Sequence, residues 1–271
     1  MRTAFRLANN PFDSAWRALT PLVLLSSLLF ISGCGDIRTA AECLISGNQY
    51  FASKDYANAA SEYKQALKRE PKSSTALNNL GVVLNELGKY DEAAAILSQA
   101  VEQDPKNQIA RYALARAQTH LKQFDKAIEN ASKAVELGPD ELAAHRALAE
   151  ACLAGGELNT AIEEYRYITK TDADDDQAHQ ELGDALIKSG DTEAAIPELK
   201  KAIELKPDNE DAHKLYAAAL NSKGDKLGAI AEIDELLKLK PEDAGLKELK
   251  TSYEQGTAKS AESVSTSTIT K

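Results

Sequence analysis

Aromatic side chains are scarce in this chain. Phe, Trp and Tyr make up 6% of its 271 residues, and the single tryptophan, Trp16, lies near the start together with Phe5, Phe12 and Phe30. The core of the remaining length must be built from Ala and Leu, which calls for closely packed helices. Cysteine is nearly absent, and three residues, Cys34, Cys43 and Cys152, cannot make a disulfide framework. No apolar run reaches the ~20 residues that a membrane span needs; the run Leu22–Ile31 has ten. Positive charge is in deficit. The formal net charge is −10, and it becomes −12 without the first 33 residues. Such a chain repels polyphosphate unless its few cations cluster, which argues against a nucleic-acid partner. Catalytic signatures are missing too: there is no Gly-x-Ser-x-Gly, no Cys/His pair at workable spacing and no phosphate loop, and nothing calls for a cofactor. At 43% hydrophobic and 27% charged residues, the composition is that of a folded chain rather than a disordered one.

The N-terminus has the layout of an export signal. Three arginines precede the ten-residue apolar run, and Ile31-Ser32-Gly33-Cys34 follows it. An aliphatic residue, two small residues and a cysteine resemble the bacterial lipobox. That resemblance implies that residues 1–33 are a lipoprotein signal peptide and that Cys34 becomes the lipidated first residue of a 238-residue mature chain. Acyl chains at about 0.8 kcal/mol per buried CH₂ would hold it on a membrane. Residue 35 is Gly, and Asp36 comes one place later than the inner-membrane retention signal. The expected location is therefore the cell envelope, lipid-anchored at the outer membrane and facing the periplasm. Residues 34–39 form a short linker, and Gly35–Thr39 spans at most ~18 Å, which keeps the first folded unit near the membrane.

From Ala40 to Asp243 the chain repeats itself with a period of 34 residues and no insertion, in units 40–73, 74–107, 108–141, 142–175, 176–209 and 210–243. Position 20 is Ala in all six: Ala59, Ala93, Ala127, Ala161, Ala195 and Ala229. Position 8 is always Gly or Ala, position 32 is Pro in five units, and position 17 holds Tyr56, Tyr90 and Phe124 in the first three. Apolar residues recur at three- and four-residue steps, as in Leu77, Leu80, Leu84 and Leu87, which predicts amphipathic helices. Gly88, Gly156, Gly190 and Gly224 share position 15, where a first helix must stop. Thr39-Ala-Ala-Glu42 reads as a capping box, and Pro197 predicts a late start or a kink in the second helix of repeat five. This pattern resembles the tetratricopeptide repeat (TPR) family. The resemblance implies an all-α fold, a right-handed TPR superhelix of six helix–turn–helix repeats. Residues 244–255 read as a C-terminal capping helix, and 256–271, with eight Ser/Thr in sixteen residues, as a disordered tail.

His145, His179 and His213 all occupy position 4, a whole repeat apart, too far to share one ion, so no metal site is expected and they read as packing residues. Asp172–Asp176 lacks the Gly and Glu of a calcium loop and reads as a turn whose last Asp caps the next helix. In the TPR family the first helices line a concave groove. Carried over by register, that groove holds Asn48, Asn78, Asn79, Tyr112, Arg116, His120 and Arg146. The middle of it reads as locally basic. Either Arg116 and Arg146 offer paired donors to a partner's carboxylate, or they balance acids such as Glu150. The cations of the chaperone-tail clamp are replaced by Leu44, Ile109 and Ala113, which disfavours that role even though Asn48 and Asn79 stand in its Asn places.

The function implied is a non-catalytic scaffold or adaptor for envelope proteins, with pilus or secretin assembly the best match of plan. Exopolysaccharide export, regulation of cell-wall enzymes and a soluble periplasmic chaperone are the alternatives. Whether chains self-associate through their convex faces is left open.

Overall fold

A computed structural model describes residues 38–256. The segment expected to be a signal peptide, Cys34 and the tail beyond Gly256 lie outside the described residues. Those residues form thirteen α-helices and, among them, no strand. They come as six pairs: α1 (Ala40–Ala52) with α2 (Tyr56–Arg69), α3 (Ser74–Glu86) with α4 (Tyr90–Gln103), α5 (Gln108–His120) with α6 (Phe124–Leu137), α7 (Leu142–Gly155) with α8 (Leu158–Thr171), α9 (Asp176–Ser189) with α10 (Thr192–Leu205), and α11 (Glu210–Ser222) with α12 (Lys226–Leu239). A last helix, α13 (Ala244–Glu254), follows. The first helices begin 34 residues apart.

Each helix starts and stops for local reasons. The Thr39 hydroxyl accepts from the Glu42 amide while Glu42 reaches back to the Thr39 amide, completing the capping box. Ser73, Asn107, Asp175, Asn209 and Asp243 cap later helices through side-chain oxygens. The cap of α9 is thus Asp175; Asp176, expected there, is the first helical residue. First helices end in a left-handed residue at position 15. Gly88, Gly156, Gly190 and Gly224 have φ between +69° and +90°. Lys54 and Lys122 occupy the same position at φ 60° and 59°, so all six repeats use this turn although only four have the glycine. Pro197 sits inside α10, which nonetheless begins on schedule at Thr192 behind its Asp191 cap; the late start predicted from the proline does not occur.

The six position-20 alanines are fully buried at the crossing of the two helices of each pair. Successive helices pack on one another, and first helices also pack closely on the next first helix at α3–α5 and α5–α7. Second helices make no comparable contact, so the stack curves with the first helices inside. Between α1 and α3 and between α7 and α9 the inner wall is looser. The helix α13 covers the end, burying Leu246 and Tyr253 against Ile233 and Leu236 in a small cluster distinct from the main core.

Candidate functional site

The concave wall is carried by the first helices, because positions four apart on each share a face. At its N-terminal end the wall is built from amides. Asn48 Oδ1 accepts from the Tyr63 hydroxyl at 2.7 Å and from Asn79 Nδ2 at 3.1 Å, joining repeats one and two. Asn78 is buried and exchanges two hydrogen bonds with Asn107, at 3.2 and 3.1 Å. Asn85 is buried and donates to the Ala113 carbonyl at 2.8 Å. Asn48 and Asn79 remain half-exposed, whereas Asn78 is a joint between repeats rather than a surface group.

The central stripe is not the basic patch read from the sequence. Arg116 Nη1 lies 3.5 Å from Glu86, and its Nε lies 4.0 Å from Glu150. Arg146 bridges the looser joint between α7 and α9: Nη1 donates to Glu181 at 3.0 Å and Nη2 to the Asp175 cap. Two arginines thus meet four carboxylates, and this part of the wall is acidic. Of the two readings of this arginine pair, a partner's carboxylate or balance by nearby acids, the geometry favours the second: the chain's own Glu150 acts on both. Burial and the neighbouring Glu150 push the Glu181 carboxyl up from the usual carboxylate range. Tyr112 is buried, and its hydroxyl is raised by burial, so its ring is wall rather than platform. His120 is exposed and stacks on Tyr90 at 4.0 Å with the rings 8° from parallel. Partial desolvation of the ring lowers its pKa from the ordinary value against the pull of Glu150.

Glu181 stands at position 6 and is not among the groove residues that the family register implies. Asn79, also at position 6, was the available signal. Cys43 and Cys152 are free and buried, and burial pushes the Cys152 thiol up to about 12, so it carries no reactive thiolate. Among the described residues no group of His, Cys, Asp and Glu could hold a metal ion, and no helix is long and apolar enough to cross a membrane.

Two family models, both described as tetratricopeptide repeat, match the chain, one over residues 46–108 and 86–141 and the other over 121–183 and 186–253. The chain belongs to the tetratricopeptide repeat family. Solved structures agree on the fold. A thermophilic TPR protein of Thermus thermophilus, TTC0263, is 26% identical, with TM-score 0.54 over 68% of this chain and all of that one. PilF of Pseudomonas aeruginosa is 17% identical, with TM-score 0.65 over 78% of this chain and 96% of that one. YrrB, described as a TPR protein with an unusual peptide-binding site, is 17% identical, with TM-score 0.58 over 71% and 99%. No curated protein matches the chain.

Proposed function

We propose that this chain is a non-catalytic TPR scaffold, anchored by lipid at Cys34 in the outer membrane, that holds a segment of another envelope protein against its concave wall. One observation carries the binding role: the inner wall changes from half-exposed amides at Asn48 and Asn79 to an ion-paired acidic stretch around Arg116, Glu150 and Glu181. An extended segment needs both kinds of group, amides for its backbone and charges for its side chains. The likeness in plan to PilF motivates pilus or secretin assembly as the setting.

The test compares variants of the full-length protein by cross-linking in the cell envelope. Arg116→Ala and Asn79→Ala should lose most of the cross-linked partner. Lys64→Ala, on α2 and paired only with the exposed Glu92 at 3.4 Å, should keep it. Cys34→Ser should leave the chain unlabelled by fatty acid and released from the outer membrane. Retention of the whole partner set by both groove variants would move the binding surface elsewhere, and membrane retention of the Ser variant would remove the anchor.

A further inference from the structure

Positions 4 and 23 face each other across every helix pair, and the repeats fill them differently. Repeats four, five and six carry His145, His179 and His213 at position 4 and Glu164, Glu198 and Glu232 at position 23. In each, Nδ1 meets the carboxylate, at 2.5, 2.7 and 2.8 Å. In each, Nε2 meets a backbone carbonyl in the turn before the first helix: Pro139 at 2.8 Å, Ala173 at 3.3 Å and Pro207 at 3.1 Å. A carbonyl only accepts, so Nε2 must carry a proton. An ionised carboxylate also only accepts, so Nδ1 must carry a second. The arrangement is satisfied in full only when ring and carboxylate together hold one proton more than a neutral imidazole beside a carboxylate. The three rings are buried, so water cannot substitute for the missing contact. Each imidazole thereby fastens three elements: the turn between repeats, the first helix and the second helix.

The other repeats make this joint without a titrating ring. In repeat three, Arg111 Nε donates to the Pro105 carbonyl at 2.8 Å and Nη1 to Asn130 at 3.1 Å, the same two places filled by groups that keep their charge state. Repeat two has Leu77 and Ile96 there. Repeat one has Cys43, and its Glu62 pairs with Arg38 at 2.8 Å.

We propose that repeats five and six are held by a proton-dependent clamp. Their two His–Glu joints fasten the inter-repeat turns while protonated, and they release those turns as the pH rises; repeat four shares the geometry. The groups facing each ring agree in sign for two of the joints. The hydrogen bond to Glu198 raises His179 above the ordinary range against the opposing effects of burial and Lys201. The hydrogen bond to Glu232 raises His213 against burial, with Glu235 assisting. His145 faces Glu164, and Tyr167 stacks on its ring at 4.1 Å. A histidine raised in the folded state contributes stability that is complete below its unfolded pKa, about 6.5. That contribution is lost as pH climbs through the folded value. Across that window each histidine can increase the opening constant up to about tenfold per pH unit.

The test is hydrogen exchange by mass spectrometry on the full-length protein between about pH 6 and pH 9, a window that opens just below the ordinary histidine range, each rate being divided by the intrinsic rate at that pH. Protection at residues 172–176 and 206–210 should fall with rising pH, while residues 104–108, held by Arg111, should keep theirs. A variant carrying repeat three's own solution, His179→Arg with Glu198→Asn and His213→Arg with Glu232→Asn, should flatten the pH response at both of those turns. It leaves Glu181 in place, so a response that persists there would belong to that carboxyl and would overturn the proposal. If the variant does not fold, the imidazole carbon resonances of the wild-type protein decide: midpoints above about 6.5 for His179 and His213 support the clamp, and midpoints at or below that value overturn it. Unchanged protection across the same pH range in the wild type would overturn it as well.

Discussion

Repeats one to three and repeats four to six share one backbone and use charge in opposite ways. In the first half the joints between repeats are mainly amides and an arginine, namely Asn48 with Asn79, Asn78 with the Asn107 cap and Arg111 with the Pro105 carbonyl, beside the more exposed ion pairs of Arg116 with Glu86 and Lys64 with Glu92. In the second half they are ion pairs and histidines: Arg146 with Asp175 and Glu181, and His145, His179 and His213, each paired with a Glu of its own repeat, with the carbonyls of Pro139, Ala173 and Pro207 in the preceding turn. The difference teaches that the solenoid has two separable layers. Small residues and left-handed turns set how close the helices come, and they are alike along the whole array. The polar residues that lock one repeat to the next are chosen joint by joint, and they decide how each half responds to solvent.

The comparison is tested most severely at the two groove arginines. Arg146→Ala would leave Asp175 and Glu181 facing each other half-buried at the looser joint, with Glu150 nearby. The expected cost is about 3 kcal/mol, seen as a lowered urea midpoint. Arg116, more exposed and held at 3.5 and 4.0 Å, should cost under about 1 kcal/mol when changed to Ala. Equal losses would mean that the two halves do not differ in the way described.

A smaller effect should be equal in the two halves. Ala127 and Ala195 are both fully buried at the helix crossing. Changing either to Leu should overpack that crossing by about 1–3 kcal/mol. Thermal melting of the two single variants should shift alike; a crossing that tolerates Leu in one half only would show that the backbone layer is not shared.

The smallest effect is a gain. Lys54 and Lys122 hold a left-handed conformation that glycine adopts freely, at a cost of about 1–2 kcal/mol per residue. Glycine gives back part of this as extra freedom in the unfolded chain, about 0.4–1 kcal/mol. Lys54→Gly with Lys122→Gly should thus raise the unfolding free energy by about 0.5 kcal/mol per site, resolvable by chemical denaturation of the double variant.

The backbone layer was legible in the sequence because its constraints fall on single residue types. Only a small residue permits the crossing at position 20, and only glycine takes position 15 without strain, so both show as columns in a 34-residue register. The lysines at position 15 were hidden because a strained residue looks like any other polar residue on paper. The polar layer was legible only in part. Arg146 reads as a free groove cation until the fold brings Asp175 and Glu181 to it from 29 and 35 residues further on. The histidine column is visible in the sequence, and its partner column gains meaning only beside it: Glu164, Glu198 and Glu232 recur in the same three repeats, 19 residues after each histidine.

The fit between position 8 and position 24 bears on how such an array can be rearranged. At Gly47, Gly81 and Gly183 a methyl group would lie 2.5, 2.4 and 2.5 Å from atoms of Tyr63, Leu97 and Leu199, because those side chains fill the notch that the glycine leaves. In repeats three, four and six position 8 is Ala115, Ala149 or Ala217, and position 24 is Ala131, Tyr165 or Ile233. At the three glycines the fit is made within the repeat. A genetic exchange that joins two arrays at an inter-repeat turn carries matched pairs across intact. One that joins them at the left-handed turn could set Ala149 beneath Leu97 and fail to close. The smallest inheritable piece of this protein is therefore the helix pair, and its history of duplication and loss is expected to be written in whole multiples of 34 residues.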